Sequence, residues 1–247
     1  MVASLATPKG RRENGLFVAE GTKCVLDTIS SFNLSAVLAT GNWIKEYGDN
    51  IKYPGLLYEV KRADIIEMSS LSTPPDVIAV YRIPDEETCQ PVPGELYLAL
   101  DRIQDPGNLG TIIRISSWMG IKRIYCSTET VDVFNPKVVQ ATMGALSQVK
   151  IEYCDLVTLL ADASKNEIPV YGTFLDGENI YTSRLTPGGI IVMGNEGKGI
   201  SEDVSQEITR RLFIPPYPVD SEHVESLNVS VATAITVAEF RRQTLKA

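Results

Sequence analysis

The sequence is poor in the residues from which many catalytic and metal sites are built. Its 247 residues include one histidine, His223, and four cysteines that form no CxxC pair. These scarcities argue against a cysteine-rich zinc site and against most histidine-based metal sites. They also exclude any Ser-His-Asp or Cys-His catalysis that is not built on His223. We expect reduced core residues at Cys24, Cys89, Cys126 and Cys154.

The chain also lacks long apolar runs and two nucleotide-binding motifs. No run approaches the roughly 18 residues that a transmembrane helix needs, and residues 1–14 contain no apolar signal core. We therefore expect a cytoplasmic protein with no membrane partner. Neither GxxxxGK[ST] nor GxGxxG occurs, which disfavours a P-loop nucleotide triphosphatase and a Rossmann dehydrogenase.

Charge is unevenly distributed along the sequence. The formal net charge is −8, and an acidic chain argues mildly against a nucleic-acid partner because phosphate binding is mainly electrostatic. Both ends are nevertheless basic, with Lys9, Arg11 and Arg12 near the N-terminus and Arg241, Arg242 and Lys246 near the C-terminus. Local clusters matter more than the total, although solvated surface charge is the simpler interpretation.

The pattern of apolar segments predicts two domains. Residues 1–84 alternate short strand and helix candidates, and residues 84–94 contain three prolines and a glycine without hydrophobic periodicity. We therefore predict a small α/β domain over 1–84, a linker over 85–94 and a second domain over 95–247. The second domain alternates strands and helices repeatedly, which predicts a parallel sheet with helices on both faces.

Three loops of the second domain could carry chemistry, because sites in open α/β sheets form at the carboxyl ends of strands. The first follows a strand at Leu96–Leu100 and opens a helix predicted at Thr111–Met119. It contains Asn108, while Arg114 falls in the first turn of that predicted helix, whose N-terminus would suit a phosphate. A helix cap and a surface arginine would explain the same residues.

The other two loops are a glycine-rich turn and the approach to the last helix. Three glycines surround Glu196 in MGNEGKGI, so the backbone there can approach a ligand closely, although an exposed turn is the simpler interpretation. Ser226 is a candidate N-cap for a helix predicted at Leu227–Arg242. Small residues in that helix are also typical of tight core packing.

Together, the three stretches are more specific than any one of them. DPGNLGTIIR, MGNEGKGI and IP…SLNVSVATAI, in this order, resemble the SpoU (TrmH-type) family of RNA ribose 2′-O-methyltransferases, which belongs to the SPOUT superfamily. The resemblance covers about residues 95–243. Residues 11–21 resemble the start of that family's RNA-substrate-binding domain. One departure is the stretch 216–225, which is longer and more acidic than the family's usual loop.

The resemblance implies a fold and a cofactor. The fold would be α/β, with a deep trefoil knot in a C-terminal parallel-sheet domain and a small N-terminal α/β RNA-binding domain. The cofactor would be S-adenosylmethionine. Its pocket would be lined by backbone groups of Gly194, Ile214 and Leu227, with Thr173 nearby. An apolar wall with a few backbone hydrogen bonds suits adenine.

The resemblance also implies a reaction, methyl transfer to the ribose 2′-hydroxyl of ribosomal or transfer RNA, and a homodimer. Arg114 would act in catalysis with Asn108, Glu196 and Asn228. We favour Arg114 as a clamp on ribose or phosphate, since arginine, with a pKa above about 12, is a doubtful base. RNA would be held by Lys9, Arg11 and Arg12, and no metal is required.

Two alternatives stay open at this point. One is an unrelated nucleotide-using α/β enzyme, which the missing P-loop and GxGxxG motifs disfavour. The other is a non-catalytic RNA-binding homologue of the same fold. That alternative would be favoured by loss of the functional side chains, but Asn108, Arg114, Glu196 and Asn228 are all present.

Overall fold

The computed structural model describes residues 1–85, 87–218 and 224–245. His223, Lys246 and part of the unusual loop 216–225 lie outside the described residues. The chain divides into two compact units. The N-terminal unit comprises Met1–Glu86 and Asp132–Gln148, and the C-terminal unit comprises Glu87–Val131 and Val149–Ala247.

The N-terminal unit is built around a mixed four-stranded sheet, in the order β1-β4-β2-β3. Strand β4 pairs antiparallel with both β1 and β2, whereas β2 and β3 are parallel. Short 3-10 turns supplement the following elements: α1 (Pro8–Asn14), β1 (Leu16–Glu20), α2 (Thr22–Thr28), β2 (Leu34–Ala39), α3 (Gly41–Tyr47), β3 (Leu57–Glu59), α4 (Arg62–Met68) and β4 (Val77–Arg82).

Residues 132–148 pack with this unit, although the sequence pattern placed them inside the C-terminal domain. They carry helix α6 (Pro136–Thr142) and a 3-10 turn. The rings of Phe17 and Phe134 lie 4.6 Å apart. Asp132 forms an ion pair of 2.6 Å with the buried guanidinium of Arg11. These contacts join residues distant in sequence, which local patterns do not reveal.

The C-terminal unit contains a six-stranded sheet, in the order β10-β8-β9-β5-β6-β7. Every strand pair in it is parallel, as the alternating pattern predicted. Its elements are β5 (Leu96–Leu100), α5 (Pro106–Trp118), β6 (Arg123–Cys126), β7 (Lys150–Tyr153), α7 (Leu156–Lys165), β8 (Val170–Asn179), β9 (Gly189–Met193), α8 (Glu202–Gln206), β10 (Arg210–Phe213) and α9 (Val229–Thr244).

The apolar composition of the central strands of this sheet follows from their burial. All residues of β5 and β9 are buried, as expected for strands covered on both faces. Strand β8 departs from regularity, because its register against β10 jumps from Gly172 to Glu178. The pairing of β8 with β9 ends at Gly172, so Thr173 follows directly at the carboxyl end of that ladder.

The cysteines match the core expectation only in part. Cys24 and Cys126 are buried and Cys154 is half-buried, but Cys89 is exposed, so the expectation of a core position was wrong there. Burial raises the pKa of Cys24 and of Cys154 to about 11. Both thiols therefore stay protonated near neutral pH and are poor nucleophiles.

Candidate active site

The three loops singled out in the sequence meet at one edge of the C-terminal sheet. They follow β5, β9 and β10, whose carboxyl ends face the same way because all the strands are parallel. Strands β5 and β9 are direct neighbours, and β8 connects β9 with β10. This edge is where parallel α/β sheets place their sites.

A chain of side-chain hydrogen bonds joins the three loops. The Asn108 Nδ2 donates to Glu196 Oε1 at 2.8 Å, and the Asn228 Nδ2 donates to Asn108 Oδ1 at 2.9 Å. We call Glu196, Asn108 and Asn228 the relay. The Asn108 amide is the centre of the relay because it uses its donor toward one loop and its acceptor toward the other.

Two helix caps hold the centre and one end of this relay, and both differ from the caps expected from the sequence. Helix α5 begins at Pro106, not Thr111, with Asp105 as N-cap accepting from the Asn108 N–H at 2.8 Å. Helix α9 is capped by Asn228 and not by Ser226. The Asn228 Oδ1 accepts from the Ser230 N–H at 3.0 Å, so its amide serves the cap and the relay together.

Arg114 lies outside the relay. It is exposed, about 12 Å along the axis of α5 from Pro106, and it forms no hydrogen bond or ion pair with the described residues. The prediction that it sits in the first helical turn was wrong. The helix dipole acts mainly within the first turn of a helix. The positive potential of α5 therefore lies near Asn108 and not near Arg114. The exposed Arg114 guanidinium remains available to a substrate.

Two further polar residues organise the glycine-rich loop, and the sequence analysis assigned neither a role. The Asn195 Oδ1 accepts from the N–H groups of Gly197 and Lys198, and its Nδ2 donates to the Arg102 carbonyl at 2.8 Å. The buried Asp101 carboxylate accepts from the Ser201 N–H at 2.6 Å. Their position in the sequence could have identified Asn195 and Asp101, since each lies within two residues of the end of a buried strand.

The four predicted cofactor residues are distributed along the same edge. Thr173 follows the part of β8 that pairs with β9, Gly194 follows the end of β9, and Ile214 follows the end of β10. All three residues are half-buried. The Thr173 hydroxyl lies 3.7 Å from the Met193 sulfur. Leu227 precedes α9 and is 45% exposed.

Their backbone groups fit a ligand held by main-chain contacts. The N–H and C=O groups of Gly194, Ile214 and Leu227 form no hydrogen bond with another described residue, although most buried or half-buried backbone groups are paired. A Cβ on Gly194 would lie 2.3 Å from the backbone of Gly199 and Ile200. Only glycine therefore allows the loop to close while its main chain stays available.

The three residues predicted to bind RNA differ in their exposure. Lys9 and Arg12 are exposed, but Arg11 is 1% exposed and donates to the carbonyls of Leu5 and Ala6 as well as to Asp132. Arg11 is therefore a buried structural residue whose guanidinium is not available to phosphate. The prediction that Arg11 contacts RNA was therefore wrong.

Within the described part of the chain, no group of three or more His, Cys, Asp or Glu side chains could hold a metal ion. Nor is any described helix long and apolar enough to cross a membrane.

An all-parallel sheet with a polar relay and unpaired backbone groups at its carboxyl edge defines a ligand-binding α/β enzyme site. Comparison with known proteins identifies the family. Residues 95–238 match the SpoU rRNA Methylase family and residues 1–79 match the MRM3-like substrate binding domain. The chain belongs to the SpoU rRNA methylase family, so the resemblance seen in the motifs is confirmed.

Similar proteins extend over nearly the whole chain. The 23S rRNA (guanosine(2553)-2'-O)-methyltransferase RlmP of Bacillus subtilis is 27% identical and aligns with 96% of this chain and 93% of its own. A Porphyromonas gingivalis protein assigned to the RNA methyltransferases of the TrmH family is 38% identical, with a TM-score of 0.87, and covers 98% and 96% of the two chains. An AdoMet-bound rRNA methyltransferase from Sinorhizobium meliloti is 28% identical, with a TM-score of 0.81 and coverage of 98% and 92%.

Proposed function

We propose that the protein methylates the ribose 2′-hydroxyl of a guanosine in large-subunit ribosomal RNA, and that its active site lies at the carboxyl edge of the C-terminal sheet. The protein is an S-adenosylmethionine-dependent RNA methyltransferase. The finer assignment to a guanosine of 23S rRNA is supported by the activities of similar enzymes, RlmP of Bacillus subtilis and RlmB of Neisseria meningitidis. The observation that carries the proposal is the relay, which assembles residues from all three motif loops.

Different residues would bind the cofactor, position the loops and bind the RNA. S-adenosylmethionine supplies an electrophilic methyl group when bound. The backbone groups of Gly194, Ile214 and Leu227 would hold it, with Thr173 at the side. The relay fixes the relative position of the three loops, and Arg114 would hold the ribose or phosphate and stabilise negative charge developing on the 2′-oxygen.

The function is tested by mapping 2′-O-methylated nucleotides in ribosomal and transfer RNA from cells with and without the gene. We expect one guanosine of 23S rRNA to lose its methyl group in the deletion strain and to regain it when the wild-type gene is returned. Loss at a transfer RNA position instead would overturn the ribosomal assignment. If every methylated position in these RNAs survives the deletion, the assignment to a guanosine of 23S rRNA is refuted.

Lys9 and Arg12 are proposed as RNA contacts of the N-terminal unit. Replacing both with alanine should weaken RNA binding and lower the salt slope of binding by about 2, because each phosphate contact contributes about 1. Filter binding of unmodified 23S rRNA transcript across a salt series measures this. Affinity for S-adenosylmethionine should not change, and a Lys52→Ala/Lys137→Ala control should bind RNA normally. An equal loss of both affinities would indicate misfolding instead.

A homodimer is proposed from the exposed face of two helices in the C-terminal unit. Trp118, at the end of α5, is 88% exposed; Val231 in α9 and Leu245 just after it are also exposed. The two helices pack together, with Arg241 of α9 donating to the carbonyl of Met119 just after α5. Contiguous exposed apolar patches mark interaction sites, and the Arg241–Met119 hydrogen bond brings the ends of the two helices together.

The dimer proposal predicts the effect of Trp118→Asp. Light scattering should show wild-type protein at twice the mass of the 27.1 kDa chain at micromolar concentration and Trp118→Asp as a monomer, because an interfacial carboxylate would be desolvated without a partner. Trp118→Phe should remain dimeric. A monomeric wild-type protein, or a dimeric Trp118→Asp variant, would refute this use of the surface.

Three finer features remain proposals. The deep trefoil knot would involve the chain near residues 190–235, and its support is the likeness to SpoU-type structures over the whole chain. The domain division at 84 and 95 is supported by the two family matches. Residence in the cytoplasm is proposed because ribosomal RNA is the substrate.

A further inference from the structure

The N-terminal unit contains an open cavity of about 700 Å³ that none of the assigned residues touches. It lies at the carboxyl ends of β2 and β3. Those strands are parallel, so both ends lie on one edge of the sheet, where α3 and α4 begin. The residues lining it include Thr40, Gly41, Asn42, Lys45, Glu59 and Lys61.

The charged groups of the cavity differ in how much they are already engaged. The guanidinium of Arg62 donates to the carbonyls of Pro74 and Pro75 and pairs with Asp76 at 3.3 Å. Arg62 therefore serves to hold the turn before β4. In contrast, the ammonium groups of Lys45 and Lys61 form no ion pair with the described residues, and both side chains are exposed.

A carboxylate lies beside these two free cations. Glu59 is exposed, and its carboxylate accepts no hydrogen bond from a described residue. It packs directly over the Cα of Gly41, since a Cβ added there would lie 2.5 Å from Glu59 Oε1. Asn42 adds an amide that can donate and accept. The cavity thus combines free cations with a free acceptor for N–H donors.

We propose that this cavity binds one unpaired nucleotide of the substrate RNA, with guanine as its preferred base. The inference rests on the proposed function in taking RNA as the substrate. Lys45 and Lys61 would contact phosphate, and the Glu59 carboxylate would accept the adjacent N1–H and N2–H donors of guanine. The volume lies within the range of about 300–1,000 Å³ of small-molecule sites, and proteins commonly read unstacked RNA bases by their hydrogen-bonding edges.

The charge pattern favours a nucleotide over a simple anion. An inorganic phosphate would be attracted by the two lysines but repelled by Glu59, whose charge is not paired as that of Asp76 is with Arg62. A nucleotide places its phosphate and its base donors in separate positions, so both kinds of charge are used. Uracil offers a single N–H donor on its pairing edge and should bind more weakly.

The test titrates full-length ¹⁵N-labelled protein with guanosine 5′-monophosphate, uridine 5′-monophosphate or inorganic phosphate and follows the backbone amides. We expect the guanine nucleotide to shift the amides of Gly41, Asn42 and Lys61, with weaker shifts from the uridine nucleotide. Lys45→Ala/Lys61→Ala should lose these shifts, and Lys52→Ala/Lys137→Ala should keep them. Glu59→Gln should remove the preference for guanine.

Three outcomes would overturn the proposal. Shifts confined to other parts of the protein, or none at millimolar nucleotide, would leave the cavity without a nucleotide. Phosphate alone reproducing the full pattern would make it an anion site only. Equal responses to the guanine and uridine nucleotides would remove Glu59 as a reader of the base.

A second measurement separates this proposal from the proposed function. With 23S rRNA transcript, Lys45→Ala/Lys61→Ala should raise KM and leave kcat unchanged, which is the pattern of lost binding. It should lower the salt slope of binding by about 1, because both lysines contact the phosphate of one nucleotide. If the cavity proposal fails alone, the variant methylates as the wild type does. If the proposed function fails alone, the nucleotide shifts persist although the deletion strain loses no methylated position.

Discussion

Replacing Arg114 with lysine is expected to lower the single-turnover rate of methyl transfer by about 10²–10³, the usual effect of losing one donor to the transition state. Lysine keeps the charge but lacks the planar fork that holds a ribose or phosphate at two points. Arg114 is exposed and unpaired among the described residues, so the fold does not depend on it. Folding, dimer mass and cofactor affinity should therefore match the wild type.

The measurement uses the RNA identified by methylation mapping, with enzyme in excess, so that product release does not contribute. Arg114→Ala should lose at least as much rate as Arg114→Lys. Arg184→Lys is the matched control, since Arg184 is exposed on the same unit and its side chain forms no hydrogen bond or ion pair with a described residue. Near-normal transfer by Arg114→Ala would remove this residue from the mechanism.

The same variants distinguish a clamp from a general base. If Arg114 removed the proton, the wild-type rate would rise with pH along a limb that belongs to Arg114 and that Arg114→Ala lacks. A clamp takes no proton from the substrate, so wild type and variant would show the same pH dependence at different absolute rates. We expect the parallel profiles.

The fold of the C-terminal unit was predictable because its signals are local. Apolar runs such as Leu96–Leu100 and Gly189–Met193 mark strands buried on both faces, and alternation with helices requires parallel pairing. In the N-terminal unit, β4 lies between β1 and β2 and pairs with both. The periodicity of apolar residues does not reveal this strand order. Helix α1 escaped prediction because its sequence, PKGRREN, has no apolar stripe. Thr7 and Gly15 define its ends through capping geometry.

The candidate site was predictable as a set of loops but not as a set of contacts. The relay joins residues 88 and 120 positions apart, and only the order of the strands brings them together. The start of α5 was misplaced because the residues before Thr111 were assigned to a loop, although Asp105 followed by Pro106 is a strong helix start. That error put Arg114 in the wrong turn. Arg11 was misassigned because a basic run in a sequence does not reveal which cation is buried.

Replacing Asp132 with alanine is expected to destabilise the N-terminal unit by about 3 kcal/mol, because it leaves the buried Arg11 charge without its counterion. Arg11 Nε and Nη2 lie 2.8 and 2.6 Å from Asp132 Oδ2, and the two carbonyls that Arg11 also contacts cannot neutralise it. At about 4 °C per kcal/mol, the midpoint of thermal unfolding should fall by roughly 12 °C.

Fluorescence of Trp43, which is buried in the N-terminal unit, reports this transition when Trp118→Phe removes the other tryptophan. Arg11→Met should cost less than Asp132→Ala, because the Asp132 side chain left behind is 39% exposed and water can solvate it. Adding Arg11→Met to Asp132→Ala should therefore restore part of the lost stability. Arg12→Met is the neighbouring control and should leave the midpoint unchanged. If Asp132→Ala unfolds at the wild-type temperature, Arg11 is not held as the structure has it and returns as a candidate RNA contact.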